Sequence, residues 1–192
     1  MRNLFLFIAI LFFSSLASAG FLQMQEQIIM SKMCEVAKDA ETGTSDGADD
    51  FPTEAANQTY ATQFTTTSAY TVCRIGLFFA TTGSPTMNFT VGIYTNNTDE
   101  PGTLIGDLST PRNAASFLAA ESEKIFIGFS APLLTTTLYW IVVFTDGYDA
   151  ANYISWHLES GAVTERVGVN TSPPTAWNTW AGYSLKYQLY SE

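Results

Sequence analysis

The sequence predicts an all-β protein: an antiparallel, jelly-roll-like β-sandwich of about eight to nine strands, preceded by a short N-terminal helix and an acidic linker. Three observations predict it. Beyond residue 58, apolar and polar residues alternate with a period of two, the spacing that makes one face of a strand apolar. Clusters of Gly, Pro, Asn, Asp and Ser punctuate these runs at short intervals and mark turns. No long stretch with helical spacing separates the runs, so parallel crossovers are not expected and the strands should pair antiparallel.

The chain begins with a leader pattern. Arg2 supplies a positive start, residues 4–13 are an unbroken apolar run, and Ala17-Ser18-Ala19 offers a small-residue cleavage signal before Gly20. These parts match a secretory signal peptide, so residues 1–19 are expected to be a leader. An N-terminal membrane anchor is the alternative for the same residues. Ser14, Ser15, Ser18 and Gly20 dilute the second half, which falls short of the roughly 20 apolar residues a spanning helix needs. A pilin-like stem fits less well, because the apolar run precedes the cut, and Gln23, Gln25, Glu26, Gln27 and Lys32 follow it. The expected location is therefore secreted or cell-surface, with membrane contact only through the N-terminal segment if it stays uncleaved.

Residues 20–40 have helix-forming composition, with Leu22, Ile28, Ile29, Met33 and Val36 falling roughly on one side. A helix of that length is marginal alone in water, so it needs the sandwich, another copy of the chain or a membrane surface. Residues 41–58, with Gly43, Gly47 and Pro52, read as a flexible acidic linker. Glu35, Asp39, Glu41, Asp46, Asp49, Asp50 and Glu54 crowd this region against Lys38 alone, the pattern of a solvated run rather than a site.

Residues 59–192 form the expected sandwich domain. Cys73, Ile75, Leu77 and Phe79 make one alternating set, and Phe89, Val91 and Ile93 a second. Ile125, Ile127 and Phe129 make a third, and Tyr183, Leu185, Tyr187 and Leu189 a fourth. Residues 138–144 are apolar at every position, which predicts a strand buried on both faces or at the centre of a sheet. Turns are expected at Thr82-Gly83-Ser84-Pro85, residues 96–102, Ser130-Ala131-Pro132, Thr145-Asp146-Gly147 and residues 171–174. An exported protein can bridge its two cysteines, Cys34 and Cys73. The phase of Cys73 argues instead for a buried, free thiol that packs as a small hydrophobe.

The stretches QFTTTSAYTVCRIGLFF, MNFTVGIYTNNTDEPGTLIGDLS and IFIGFSAPLLTTTLYWIVVFTDG together resemble a bacterial extracellular module of the choice-of-anchor type, found on surface or phage-associated proteins. The order and spacing of strands carry the likeness, over about residues 60–192. The resemblance implies a β-sandwich displayed outside the cell. It implies no active site, and the acidic linker in front and the lack of a sorting signal behind Tyr190 depart from the usual arrangement.

Charged residues are 14% of the chain, against roughly 25% in ordinary soluble domains. The formal net charge of −10 argues against nucleic acid, which needs Lys and Arg to displace counterions. Nothing marks an enzyme. His157 is the one histidine, no G-x-S-x-G elbow accompanies it, and the pairs Glu121/Glu123 and Glu159/Glu165 carry no sign of perturbation. No cofactor is implied, with Ca2+ the single ion to consider. Asp146, Asp149 and Asn152 share a loop that can offer oxygen ligands, as do Asn97, Asp99 and Glu100; equally, they are ordinary turn formers.

Sugar binding is the sharpest expectation. Trp156, Trp177 and Trp180 cluster with Tyr148 and Tyr153 in the last third of the chain, and aromatic faces stack on the apolar faces of pyranose rings. Asp149, Asn152, His157 and Asn178 can bond hydroxyls beside them. The competing reading makes these tryptophans caps of the core. The sequons at Asn57, Asn88, Asn96 and Asn170 signify glycans only in a host that attaches them. The expected function is a non-enzymatic module for surface display or adhesion that binds carbohydrate. The alternative is a structural subunit of a filament, spike or virion assembled through its N-terminal helix. The partner is accordingly a surface glycan or another copy of the chain.

Overall fold

The computed structural model describes residues 34–41, 51–52, 58–147, 149, 151–160, 165–171 and 177–191. The chain divides into two compact units, Met1–Glu35 and Val36–Glu192. The leader and nearly all of the expected helical segment lie outside the described residues, as does most of the expected linker. Among the described residues the protein is all-β, with antiparallel sheets curled into a half-barrel.

The strands are β1 (Val36–Glu41), β2 (Phe51–Pro52), β3 (Gln58–Thr65), β4 (Tyr70–Thr82), β5 (Asn88–Asn97), β6 (Glu100–Ile105), β7 (Arg112–Asn113), β8 (Ser122–Leu133), β9 (Leu138–Thr145), β10 (Tyr153–Trp156), β11 (Leu158–Ser160), β12 (Arg166–Thr171), β13 (Asn178–Ala181), β14 (Tyr183–Leu185) and β15 (Tyr187–Ser191). The first sheet runs β1-β15-β4-β10-β2, and β8 lies along the other edge of β4. The second runs β13-β12-β3-β9-β5-β6, with β7 beside β5. A short β11-β14 ribbon joins them. The core between the sheets takes Ile75, Leu77, Phe79, Phe126, Leu185 and Leu189 from one side, and Phe64, Phe89, Val91, Ile93, Ile141 and Val167 from the other. Burial of these side chains is the main force holding the layers together.

Three of the four expected alternating sets face this core with the predicted phase beyond residue 75. The β8 set does not. Phe126 is fully buried, while Ile127 is 56% exposed. The regular ladder with β4 pairs Phe126 with the core residue Ile75 and sets Ile125 and Ile127 opposite Gly76 and Arg74, on the face away from the core. A bulge follows, where Arg74 pairs Ile127 but Val72 pairs Ala131, so three β8 residues face a single one on β4. Gly128 takes φ +90° there, a conformation open to glycine. Alternation restarts beyond the bulge, with Ala131 and Leu133 buried. Ser130-Ala131-Pro132, expected as a turn, therefore lies inside a strand.

The same irregularity changes the fate of Cys73. Register skips it on β8 and again on β15, where Tyr190 pairs Arg74 and Ser191 pairs Val72. Val72 takes the core position and Cys73 is only half-buried. The expectation of a free thiol is overturned, because Cys34 and Cys73 form a disulfide.

Two further segments differ from expectation. Val36–Glu41, at the end of the expected helix, is an edge strand on β15. Phe51–Pro52, inside the expected linker, pairs with Ser155 and Trp156 of β10. Asp39 is not a solvated linker residue but 8% exposed. Its carboxylate accepts hydrogen bonds from the Thr67 hydroxyl at 3.1 Å and from the Tyr70 hydroxyl. That pairing removes the cost of burying the carboxylate.

The residues between β6 and β8 bridge the two sheets. Ser109 exchanges hydrogen bonds with Val91 on β5, its backbone N–H at 2.8 Å and its hydroxyl oxygen accepting at 2.9 Å. Thr110 N–H donates to the Ile127 carbonyl on β8 at 2.8 Å, and Arg112 Nη1 donates to Ile125 at 2.5 Å.

Candidate functional site

Residues 138–144 were expected to be buried on both faces, and β9 explains how. Its inward residues Tyr139, Ile141 and Val143 join the core. Its outward residues Trp140 and Val142 are also buried, in a second apolar cluster with Ala61. Half-buried Tyr94, Phe144 and Trp177 pack around that cluster. The outer face of the second sheet therefore carries a layer of aromatic rings over the strands.

Cross-strand register builds this layer. Tyr94, Trp140 and Gln63 lie in one row; Gly92, Val142, Ala61 and Gly168 in the next; Thr90, Phe144, Thr59 and Asn170 in a third. The middle row is short-chained, and rings from its neighbours lie over it. Over Gly92 a methyl group would meet Leu108 and Leu104 at 2.7 and 2.9 Å and the Tyr94 ring at 3.1 Å; over Gly168 it would meet the Trp177 ring at 3.1 Å. Tyr94 and Phe144 meet at 6.1 Å between centroids, tilted by 51°. Burial pushes the Tyr94 phenol above its ordinary pKa of 10.0.

One edge of the layer is polar. Asn96 Oδ1 accepts from Trp140 Nε1 at 2.9 Å and from Gln63 Nε2 at 3.1 Å. The β5–β6 turn beyond it places Thr98 and Asp99 at φ +52° and +68°, the left-handed pair of a tight hairpin. Asp99 then pairs with Arg166 of β12 at 3.1 Å.

The expected sugar-binding residues separate. Trp156 is 3% exposed, packs edge-on against Phe79 at 5.7 Å and donates Nε1 to the Lys186 carbonyl at 2.7 Å. It is a member of the core cluster between the sheets. Trp177 joins the outer layer, and Asn178 beside it is exposed. Trp180 is 45% exposed but pairs Val167, on the opposite face of the β13 ribbon from Trp177 and Thr179. Tyr148 lies outside the described residues, and Tyr153 pairs with Thr82 at the start of β10.

His157 is drawn into an ion cluster. Its Nδ1 lies 3.1 Å from Glu121 Oε2, while Lys186 Nζ lies 3.1 Å from Oε1 of the same carboxylate. On the outer face of the first sheet, Tyr190 donates its hydroxyl to Glu123 at 2.5 Å, and Arg74 sits 3.9 Å above the Tyr190 ring.

The loop expected to offer calcium ligands uses its oxygens locally. Both Asp146 oxygens accept from Asn88, through N and Nδ2, at 2.7 Å each. Asp149 accepts from Ala151 N at 2.9 Å and from Asn152 Nδ2 at 2.7 Å, and Asn152 Oδ1 accepts from Ser84 N at 2.7 Å. Asn88 donation holds the Asp146 carboxyl below its usual range, and Asn152 does the same for Asp149. Among the described residues no group of three or more His, Cys, Asp or Glu is placed to hold a metal.

A surface groove of about 510 Å³ lies elsewhere, between Thr95, Asn96 and Ile105 on one side and Leu134 and Leu138 on the other. Sequence reasoning missed Tyr94, Phe144, Trp140, Gln63 and Asn96. The signal was present in the two-faced apolar run of β9, which requires a cover on each side. No family model matches the chain, and no curated protein matches it.

Proposed function

We propose that this chain is an exported, non-enzymatic module for surface display or adhesion that binds glycans through the outer aromatic layer of its second sheet. A jelly-roll winding of the sandwich and a place outside the cell belong to the same reading. One observation carries it: Tyr94, Phe144 and Trp177 present half-buried rings side by side on a strand-built face. Pyranose rings stack on such faces through their C–H groups, and flanking amides such as Gln63 and Asn96 fix orientation. The disulfide supports an oxidising compartment, and the leader pattern of residues 1–19 supports export. The strand order that resembles the choice-of-anchor module supports surface display.

A glycan array probed with the full mature chain tests the reading. Truncation at residue 58 is unsuitable because it would remove β1 and β2. Binding that Trp177→Ala abolishes, while Trp180→Ala leaves it intact, supports the aromatic layer as the site. Binding that survives loss of both Trp177 and Tyr94 would place it elsewhere. Absence of any bound glycan, with concentration-dependent assembly that needs residues 20–40, would favour the filament or virion subunit.

A further inference from the structure

We propose that the glycan taken by this layer carries an acetamido group, whose carbonyl oxygen is received by the side-chain amide of Asn170. The inference rests on the glycan reading above and specifies its ligand. Asn170 sits in the third row of the outer face, opposite Thr59 and thence Phe144. Its side chain is 2% exposed, and Nδ2 has no hydrogen-bond partner. A buried amide N–H left unpaired is costly, and native structures seldom tolerate one without a purpose.

The neighbours of that amide define what completes it. Val169 pairs Asn178, so Trp177 follows in register beside Asn170 and lies over the adjacent Gly168. The proposed group approaches Nδ2 from the side of the Trp177 ring, which lies over the neighbouring Gly168. It must accept a hydrogen bond without bringing a donor that needs its own buried partner. A hydroxyl carries its donor on the accepting atom itself, whereas the N–H of an acetamido group points away from its carbonyl oxygen and stays on the solvent side. A carboxylate lacks a donor altogether, but the chain's formal net charge of −10 opposes an anion. The acetamido methyl then rests on the aromatic surface of Trp177 and Phe144, the apolar surroundings it needs.

The test compares two oligosaccharides of equal length and linkage, the β-1,4 trimers of N-acetylglucosamine and of glucose, by calorimetry on the full mature chain. The acetamido trimer is expected to bind at least about tenfold more tightly. Asn170→Ala should erase that difference by weakening the acetamido trimer alone, with an unchanged melting temperature as the control for folding. Trp emission should shift on binding the acetamido trimer, and the shift should vanish in Trp177→Phe. Equal affinities in the wild-type chain, both abolished by Trp177→Ala, would overturn the acetamido assignment and leave the glycan reading standing. A preference that survives Asn170→Ala would overturn it too. No binding of any sugar, on the array or here, would remove the glycan reading and this inference together.

Discussion

The Tyr70 hydroxyl donates to the carboxylate of Asp39, joining the start of β4 to the edge strand β1. Thr67 donates to the other oxygen of the same carboxylate at 3.1 Å. An edge strand is otherwise held by one ladder of backbone bonds, and this one is interrupted between Ala37 and Ala40. Asp39→Ala leaves the half-buried Tyr70 phenol and the Thr67 hydroxyl without this partner, and should cost about 1–2 kcal/mol. Urea unfolding of the variant would measure it, and an unchanged midpoint would show that β1 is held without Asp39.

The same hydroxyl makes stability depend on alkaline pH. Burial raises the Tyr70 pKa above 10.0, and the bond and charge of Asp39 raise it further. Burial, followed by the charge of Glu165, raises Tyr187 likewise. Folding thus favours the protonated phenols. Their contribution is whole below about pH 10, the unfolded value, and is lost as pH rises from there towards the folded values. The urea midpoint should fall between pH 9 and pH 11. Tyr70→Phe should be less stable at pH 8 yet lose less over that interval; parallel curves would contradict the assignment.

Loss of the disulfide should be felt strongly. Bridging Cys34 and Cys73 closes a loop of about 40 residues, worth roughly 2–4 kcal/mol through restriction of the unfolded chain. Cys34→Ser with Cys73→Ser should lower the melting temperature accordingly, and reducing agent should lower the wild-type value to match. A double variant as stable as the wild type would show that the bridge is incidental to folding.

Trp156 and Trp177 should part company under substitution. Trp156→Ala empties a core position against Phe79 and leaves the Lys186 carbonyl unpaired, a loss of about 3–5 kcal/mol. Trp177→Ala uncovers one rim of the outer layer and should cost less than half as much while removing the ligand. Melting and binding measured on both variants would separate the roles, and equal destabilisation would make Trp177 structural too.

Thr98 occupies a left-handed position that glycine adopts without penalty. Thr98→Gly should stabilise the β5–β6 hairpin by about 0.5–1 kcal/mol. A decrease in the unfolding midpoint would show that the threonine side chain compensates its own backbone.

The legible part of this chain was its period. Phe89, Val91 and Ile93 alternate without interruption, and the structure buries all three. The phase failed at Ile125 and Ile127, apolar residues that the register sets on the outward face of β8, and at Cys73, where the bulge around Gly128 resets the alternation. A bulge leaves only a faint trace in composition, because one glycine in a strand has many explanations. Asp39 was misread for a related reason: acidic runs are usually solvated, and the partners that bury this one arrive from Thr67 and Tyr70. The candidate site was half visible. Trp177 stood out by type, whereas Tyr94 and Phe144 looked like core residues until cross-strand register put them outside.

The bridge formed by Ser109, Thr110 and Arg112 occupies main-chain groups of β5 and β8, which would otherwise run along the flank as bare ladders. Unsatisfied ladders are what recruit stray chains into fibrils. With the Ile125 and Ile127 carbonyls and the Val91 main chain already taken, an incoming strand finds fewer open positions on that flank, and the segment between β6 and β8 acts as a guard of that margin.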